Sequence, residues 1–231
     1  MITILLLSAI STSWPAAHAS AARDTQLADT VPGLRETGSL ALGAAAVRYL
    51  HEKGVEHPDG RLQFWTDSAG GPVHVQLAGG TLSDEAAAGL VPLVRQHVAA
   101  WPERGPIRVA IRLDVADAYL TDPRTPAPHE VEQLPAMTNP RHVRNIMLLM
   151  LDAHSPVEGS PRRRSSPAEL LMRVGPDGIP TIVEVKRLTG DPELDEYLLP
   201  LAYEARFEPA RVNGQPVTVW VTVPLNLNFD R

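Results

Sequence analysis

Eight histidines are the side chains most able to bind a metal ion, because the chain contains no cysteine. His51 and His57 enclose the segment HEKGVEH, which places imidazoles and carboxylates close together. The spacing differs from the zinc-binding H-E-x-x-H motif, and Gly54 interrupts the helical face that would present the ligands. The remaining histidines form no pair at a spacing typical of metal ligands. We therefore interpret HEKGVEH as the solvated end of a helix, and predict neither a metal nor another cofactor.

The sequence has no pattern typical of nucleophilic catalysis, since it lacks cysteine and has no G-x-S-x-G motif. Asp84 with Glu85, and Glu193 with Asp195, fall at predicted helix starts, where the helix dipole favours negative charge without any catalytic role. We predict that the protein is not an enzyme and has no small-molecule substrate. A peptidase or envelope hydrolase would instead need a concave cluster of polar residues between the two lobes described below.

Charge and composition argue against nucleic-acid binding. The 231 residues carry a formal charge of −6 and the pI is about 5.7, whereas surfaces that bind nucleic acids are basic. Aromatic residues make up only 5% of the chain, which leaves few rings for base stacking. The loop PRRRSSP could bind an anionic group, but in this acidic chain we interpret it as a solvated loop.

Residues 1–19 resemble an export signal. An apolar run extends from Ile2 to Ile10, and Ala17, His18 and Ala19 form an A-x-A cleavage motif. The run is shorter than the roughly 20 apolar residues that cross a bilayer, and no other segment is a candidate span. No lysine or arginine precedes the run, and a buried N-terminal helix is the alternative. The pattern predicts a periplasmic protein without a transmembrane anchor.

Hydrophobic periodicity predicts the same order of elements twice: helix, strand, strand, helix, strand. In residues 38–115 the second helix begins at the N-cap candidate Ser83, and the last strand alternates apolar and polar residues. The segment 116–138 is rich in proline and charge, which is typical of a linker. Residues 139–231 repeat the order, with Asp191 as the N-cap of the second helix and VTVWVTVPLNLNF in the closing strand.

Four prolines relate the two halves. Pro180 and Pro200 follow Pro72 and Pro92 at one constant offset, and Pro92 and Pro200 each lie inside a predicted helix. Because proline is unfavourable inside a helix, its recurrence at the same place indicates a duplicated unit. Coincidence between two alanine- and valine-rich pieces is the alternative. We predict an α+β protein of two similar α-ββαβ units, each a three-stranded antiparallel sheet packed by helices.

The second half carries a series of short motifs: an Asp-Gly turn between two strands, a Gly turn, a Leu-Asp helix start, an aromatic-x-Pro-Ala phrase, an Asn-Gly-x-Pro-Val turn and a strand ending in an aromatic residue. They are Asp177-Gly178, Gly190, Leu194-Asp195, Phe207-Glu208-Pro209-Ala210, Asn213-Gly214-Gln215-Pro216-Val217 and Phe229. With the lead-in helix LPAMTNPRHVRNIMLLML, residues of about 134–231 resemble the C-terminal domain of TonB-type energy transducers. Pro200 and the entry SPVEGSPRRRSSPAE depart from that pattern. Residues 38–115 connect to it only through the internal repeat, as a degenerate second copy.

The resemblance implies a small α+β domain that is not an enzyme. In the transducers this domain binds the N-terminal box peptide of outer-membrane receptors by adding a strand to an exposed sheet edge. A full transducer also needs an inner-membrane helix and a long proline-rich spacer, and this sequence shows neither. We therefore expect a periplasmic, transport-associated binding module whose partner is an envelope protein or an outer-membrane receptor peptide.

The closing strand is the candidate peptide-binding edge. Its odd-numbered residues from Val217 to Phe229 are all apolar, which predicts one buried face. Pro224 has no N–H, so the even-numbered backbone groups are expected to face an open edge. The predicted site residues are Thr218, Val219, Trp220, Val221 and Thr222, with Trp220 on the outer face beside the peptide. The alternative is a structural protein whose edges pair with each other in a homodimer or a clasp, with no peptide ligand.

Overall fold

The computed structural model describes residues 26–27, 34–79, 83–101, 105–114, 126, 128–153 and 166–225, with the side chains of residues 34–37 and 151–153 excepted. The predicted signal segment 1–19, part of the predicted linker and the end of the closing strand lie outside the described residues. Every helix in these ranges falls short of the length or the apolar character that a membrane crossing requires.

The helices agree closely with the predicted positions. Four α-helices occur in the described ranges: α1 (Leu34–Glu52), α2 (Asp84–Ala99), α3 (Pro140–Ala153) and α4 (Pro192–Glu204). The largest difference is at the start of α1, which begins at Leu34, before the predicted start of the first lobe at residue 38. The helix α4 ends at Glu204, and a short strand begins at Phe207.

The helices α2 and α4 begin at their predicted caps. The Ser83 hydroxyl accepts a hydrogen bond from the Ala86 N–H at 3.3 Å, and the Asp191 carboxylate accepts one from the Glu193 N–H at 3.0 Å. Each cap satisfies an N–H that the first helical turn leaves without a partner in the helix. Pro92 and Pro200 lie inside these helices, as predicted.

Eleven strands occur in the described ranges, several of them only two or three residues long. They are β1 (Gln26–Leu27), β2 (Arg61–Thr66), β3 (Pro72–Ala78), β4 (Arg108–Arg112), β5 (Ala136–Met137), β6 (Ala168–Val174), β7 (Pro180–Arg187), β8 (Phe207–Glu208), β9 (Ala210–Val212), β10 (Gln215–Val217) and β11 (Val219–Leu225).

Seven of the strands form one antiparallel sheet in the order β1-β11-β6-β7-β4-β2-β3. The α+β class is confirmed, but the expectation of a separate three-stranded sheet in each half is wrong. The halves merge because β4 pairs with β7, aligning Arg108 with Val185 and Ile111 with Ile182. The pairing satisfies backbone groups that two separate sheets would leave exposed at their edges.

The two pairs of helices cover opposite faces of this sheet. Side chains of α1 and α2 pack with Phe64 and Ile111, and also with Ile182 and Trp220 from the second half. Side chains of α3 and α4 pack on the other face, against β6, β7, β11 and Ala110 of β4. The central strands are therefore buried on both faces, which is why β7 reads as a nearly continuous buried run.

The strands of each half are arranged alike around their first strand. In the first half β2 lies between β3 and β4. In the second half β6 lies between β7 and β11. Each half thus contributes a trio of strands, numbered here in chain order: β2, β3 and β4 in the first half, and β6, β7 and β11 in the second. The two trios join where β4, the third strand of the first trio, pairs with β7, the second strand of the other.

The latter part of the predicted linker contacts the second half. A 3₁₀ turn spans Pro128–Glu130, and β5 pairs with β8. The Glu132 N–H donates to the Arg211 carbonyl at 2.9 Å, and the Thr138 N–H donates to the Arg206 carbonyl at 2.8 Å. Residues 128–138 thus lead directly into α3. The division of the chain into domains stays a prediction.

Candidate functional site

The candidate edge strand β11 is paired on both sides. It pairs with β6 along its whole length, from Val219 opposite Val174 to Leu225 opposite Ala168. On its other side the short strand β1 pairs with Val221 and Thr222. The expectation of an open edge is therefore wrong at these two residues, because the segment that precedes α1 lies against them.

The predicted site residues differ in exposure. Val219 and Val221 are buried in the core beneath α3 and α4. Thr218 precedes β11 and is half-buried, as is Thr222 within the strand. Any ligand at this edge would therefore bind mainly to the backbone, with few of these side chains available to it.

Trp220 contradicts its predicted position on an outer face. Its side chain is only 3% exposed and belongs to the core that α1 and α2 cover. The reason is the merged sheet, which brings elements of the first half over the second face of β11. In the described part of the structure the indole Nε1 is buried without a hydrogen-bond partner.

Backbone chemistry still distinguishes the two sides of β11. Pro224 lies opposite Glu169 in the continuous β6 pairing, although it has no N–H to donate. Because backbone groups alternate sides along a strand, the N–H groups of Trp220 and Thr222 point to the same side as position 224. That side is the one on which proline is tolerated, at the border of the sheet.

The border strand β1 comes from the segment before α1 and extends the sheet by pairing with β11. It contributes Gln26 opposite Thr222 and Leu27 opposite Val221, in antiparallel orientation. Leu27 also packs partly against the core beneath α3 and α4. The backbone of β11 can thus accept an extended segment that supplies an apolar side chain on that face.

A pocket lies between the ends of β2, β3 and β4 and the C-terminal end of α4. This pocket has a volume of about 300 Å³, and its polar lining comprises Arg61, Arg112, Asp114, Tyr203, Glu204 and Arg206. It corresponds in position to the concave polar cluster that the enzymatic alternative requires.

Several polar groups of this pocket already have hydrogen-bond partners, either within the pocket or among backbone carbonyls. Arg112 Nε donates to Asp114 at 2.8 Å, and its hydrogen bonds hold the pKa of the Asp114 carboxyl below its usual value. The Tyr203 hydroxyl donates to the Ala110 carbonyl at 2.7 Å, and burial raises the pKa of this phenol. Arg206 donates to carbonyls at the end of α4.

The lining of this pocket contains no serine, threonine or histidine among the described residues, so it lacks the hydroxyl and imidazole pair of a triad hydrolase. Tyr203 is buried as a neutral donor and ties α4 to β4 of the first half.

The candidate zinc segment lies at the end of α1. His51 and Glu52 close the helix, both exposed, and Gly54 follows with a positive φ of 81°. Within the described ranges no three histidine or acidic side chains lie close enough together to hold a metal ion.

A buried polar contact joins α1 to the second half, and the sequence reading missed it. The Ser39 hydroxyl donates to the Glu184 carboxylate at 2.7 Å, and Glu184 is 0% exposed. Lys186 Nζ lies 3.7 Å from the other carboxylate oxygen. The one available signal was the acidic residue inside the otherwise apolar run TIVEV, which requires polar partners when buried.

Comparison with known proteins gives one match. No curated protein and no solved structure matches the chain significantly. Residues 158–229, which include β6, β7, α4 and β11, match the family model described as the Gram-negative bacterial TonB protein C-terminal, and this confirms the resemblance predicted for the second half of the chain.

Proposed function

We propose that the protein is a periplasmic, non-enzymatic binding module that captures an extended peptide of an envelope partner by strand addition at β11. The match of residues 158–229 supports a TonB-like, transport-associated role in the envelope. Domains of this family are periplasmic and interact with envelope proteins such as outer-membrane receptors. Residues 1–19 would act as the export signal.

The observation that carries the proposal is the pairing of β1 with β11. A segment of two residues already occupies Val221 and Thr222 in antiparallel orientation. A longer segment in the same orientation could gain further backbone hydrogen bonds at Trp220 and Thr218, and alternate side chains would give specificity. The partner peptide would replace β1, and its apolar residue would take the place of Leu27.

A duplicated origin would explain the rest of the chain. Both trios of strands have their first strand in the middle, and both second helices contain a proline at the equivalent place. The first half, as a degenerate copy, extends the sheet and covers the second face of the binding strand. Its contribution would be support for β11, since Trp220 is buried in its core.

The test is calorimetric titration of the protein with a synthetic peptide that spans the N-terminal box of an outer-membrane receptor. Binding is expected for the unmodified protein. Thr222→Pro removes one outward N–H and is expected to abolish it. Thr222→Ala keeps the backbone donor and serves as the matched control, which should bind nearly as well as the unmodified protein.

Two outcomes would count against peptide capture at this strand. One is the absence of binding for a panel of such peptides to the folded, unmodified protein. The other is equal affinity of Thr222→Pro and Thr222→Ala, since binding would then lie elsewhere. Circular dichroism of each variant establishes that the fold is intact before titration.

A further inference from the structure

The strand β3 forms the opposite border of the sheet. Within the described part of the chain it pairs only with β2, so its outer backbone groups face no strand. It is seven residues long and contains no charged residue, and Val73 is 63% exposed. Border strands are usually protected by charge, a bulge or a covering element. Here Pro72 and the bulge near Thr66 protect only the first end of the strand.

The junction inside the chain shows how such borders join. β4, the third strand of its trio, pairs in antiparallel orientation with β7, the second strand of the other trio. The helices of the two halves lie on opposite faces. The two halves are therefore related by a two-fold screw operation. The screw axis runs across the strands in the plane of the sheet, and it reverses both the strand direction and the face that the helices cover.

Repeating the same relation once more brings β11 of one molecule beside β3 of another. β11 is the third strand of its trio and β3 is the second strand of the other. The pair is thus the counterpart of β4 with β7. Like β3, β11 carries no charged residue, so no like charges oppose each other across the contact.

We propose that the protein self-associates head to tail, with the β11 border of one copy paired with the β3 border of the next. The contact is heterologous, since it joins two different surfaces, and it leaves a free border at each end of the assembly. Further copies can add at both ends.

β1 restrains this association. It covers Val221 and Thr222, which a second copy must reach. Because β1 pairs over only two residues, it is a weak competitor. Leu27→Pro weakens the packing of this side chain against the core beneath α3 and α4, and is expected to lower the concentration at which association is half complete by about tenfold.

The test uses two variants of the full chain that each block one border. Gln76→Lys places a charge on β3 at an exposed position away from the bulge, and Thr222→Pro removes an outward donor from β11. In the Leu27→Pro background each variant alone is expected to be monomeric by light scattering. An equimolar mixture is expected to form a dimer, because the free β11 of one meets the free β3 of the other.

Controls separate this geometry from other contacts. Gln76→Thr keeps the border neutral and should associate as the Leu27→Pro protein does. If Thr222→Pro does not fold, Thr222→Lys takes its place. A Gln76→Lys protein that still dimerises alone would overturn the proposal, because the contact would then not use the β3 border. So would a Leu27→Pro protein that stays monomeric at all concentrations.

The inference does not rest on peptide capture. Self-association is measured without any peptide, so its outcome is independent of the titration described above. If both hold, a peptide that occupies β11 should dissociate the assembly.

Discussion

Tyr203 makes the stability of the contact between the two halves depend on pH. Its hydroxyl donates to Ala110 across the junction, and burial raises its pKa above the ordinary value of 10.0. The folded protein therefore keeps the phenol neutral at pH values where the unfolded chain ionises it. The stabilisation is complete below about pH 10 and is lost as the pH rises from there towards the folded-state pKa.

We expect Tyr203→Phe to reveal this dependence. At neutral pH the variant should be less stable by about 1 kcal/mol, because the hydrogen bond to Ala110 is lost. Above pH 10 the unmodified protein should lose stability relative to the variant by up to about 1.4 kcal/mol per pH unit, which is the slope for one proton. Urea unfolding at steps between pH 8 and 11 measures both. A difference that stays constant over this range would contradict the assignment.

Single residues were predictable from the sequence where their role is local. Ser83 and Asp191 cap helices through N–H groups two or three residues away, so neighbouring sequence was enough to identify them. Trp220 was placed on the wrong face, and Ser39 was not recognised as a partner of Glu184, 145 residues away. Both depend on contacts between the halves, which periodicity within one strand or helix cannot reveal.

Among the elements, α2 offers a test of the recurring proline. Pro92 is exposed inside the helix, where it removes a hydrogen bond to the carbonyl of Ala88. Pro92→Ala is expected to raise the free energy of unfolding by about 1 kcal/mol. This is less than the roughly 3 kcal/mol by which alanine is favoured over proline inside an exposed helix. Urea unfolding of Pro92→Ala and of Pro200→Ala measures the effect. Destabilisation by Pro92→Ala would show that the proline is required for the packing of α2.

The short strands show the limit of element prediction. The β9–β10 hairpin has Asn213 and Gly214 at its turn, both with positive φ, and Asn-Gly is the usual signal for such a turn. The strand β1 has no comparable signal. Two residues cannot display a period, so its pairing with β11 follows only from the fold as a whole.

At the scale of the molecule, the order of helices and strands in each half followed from hydrophobic periodicity, but their assembly did not. The pairing of β4 with β7 could not be read from alternation, since an alternating strand fits equally well at a border or beside a neighbour. One indication was present in the composition of β6 and β7. Their apolar residues face both sides of the sheet, as expected for central strands covered by helices on both faces.

The merged sheet predicts that the two halves unfold together. Phe64 lies in the core of the first half and Leu170 in that of the second, and both are fully buried. Phe64→Ala and Leu170→Ala should each lower the free energy of unfolding by about 2–5 kcal/mol. Because β4, β7 and Tyr203 couple the halves, either change should shift one common unfolding transition.

Urea unfolding followed by circular dichroism and by tryptophan fluorescence measures this transition, with Val73→Ala, at an exposed position, as the control. Two separate midpoints in either variant would show that the halves are independent.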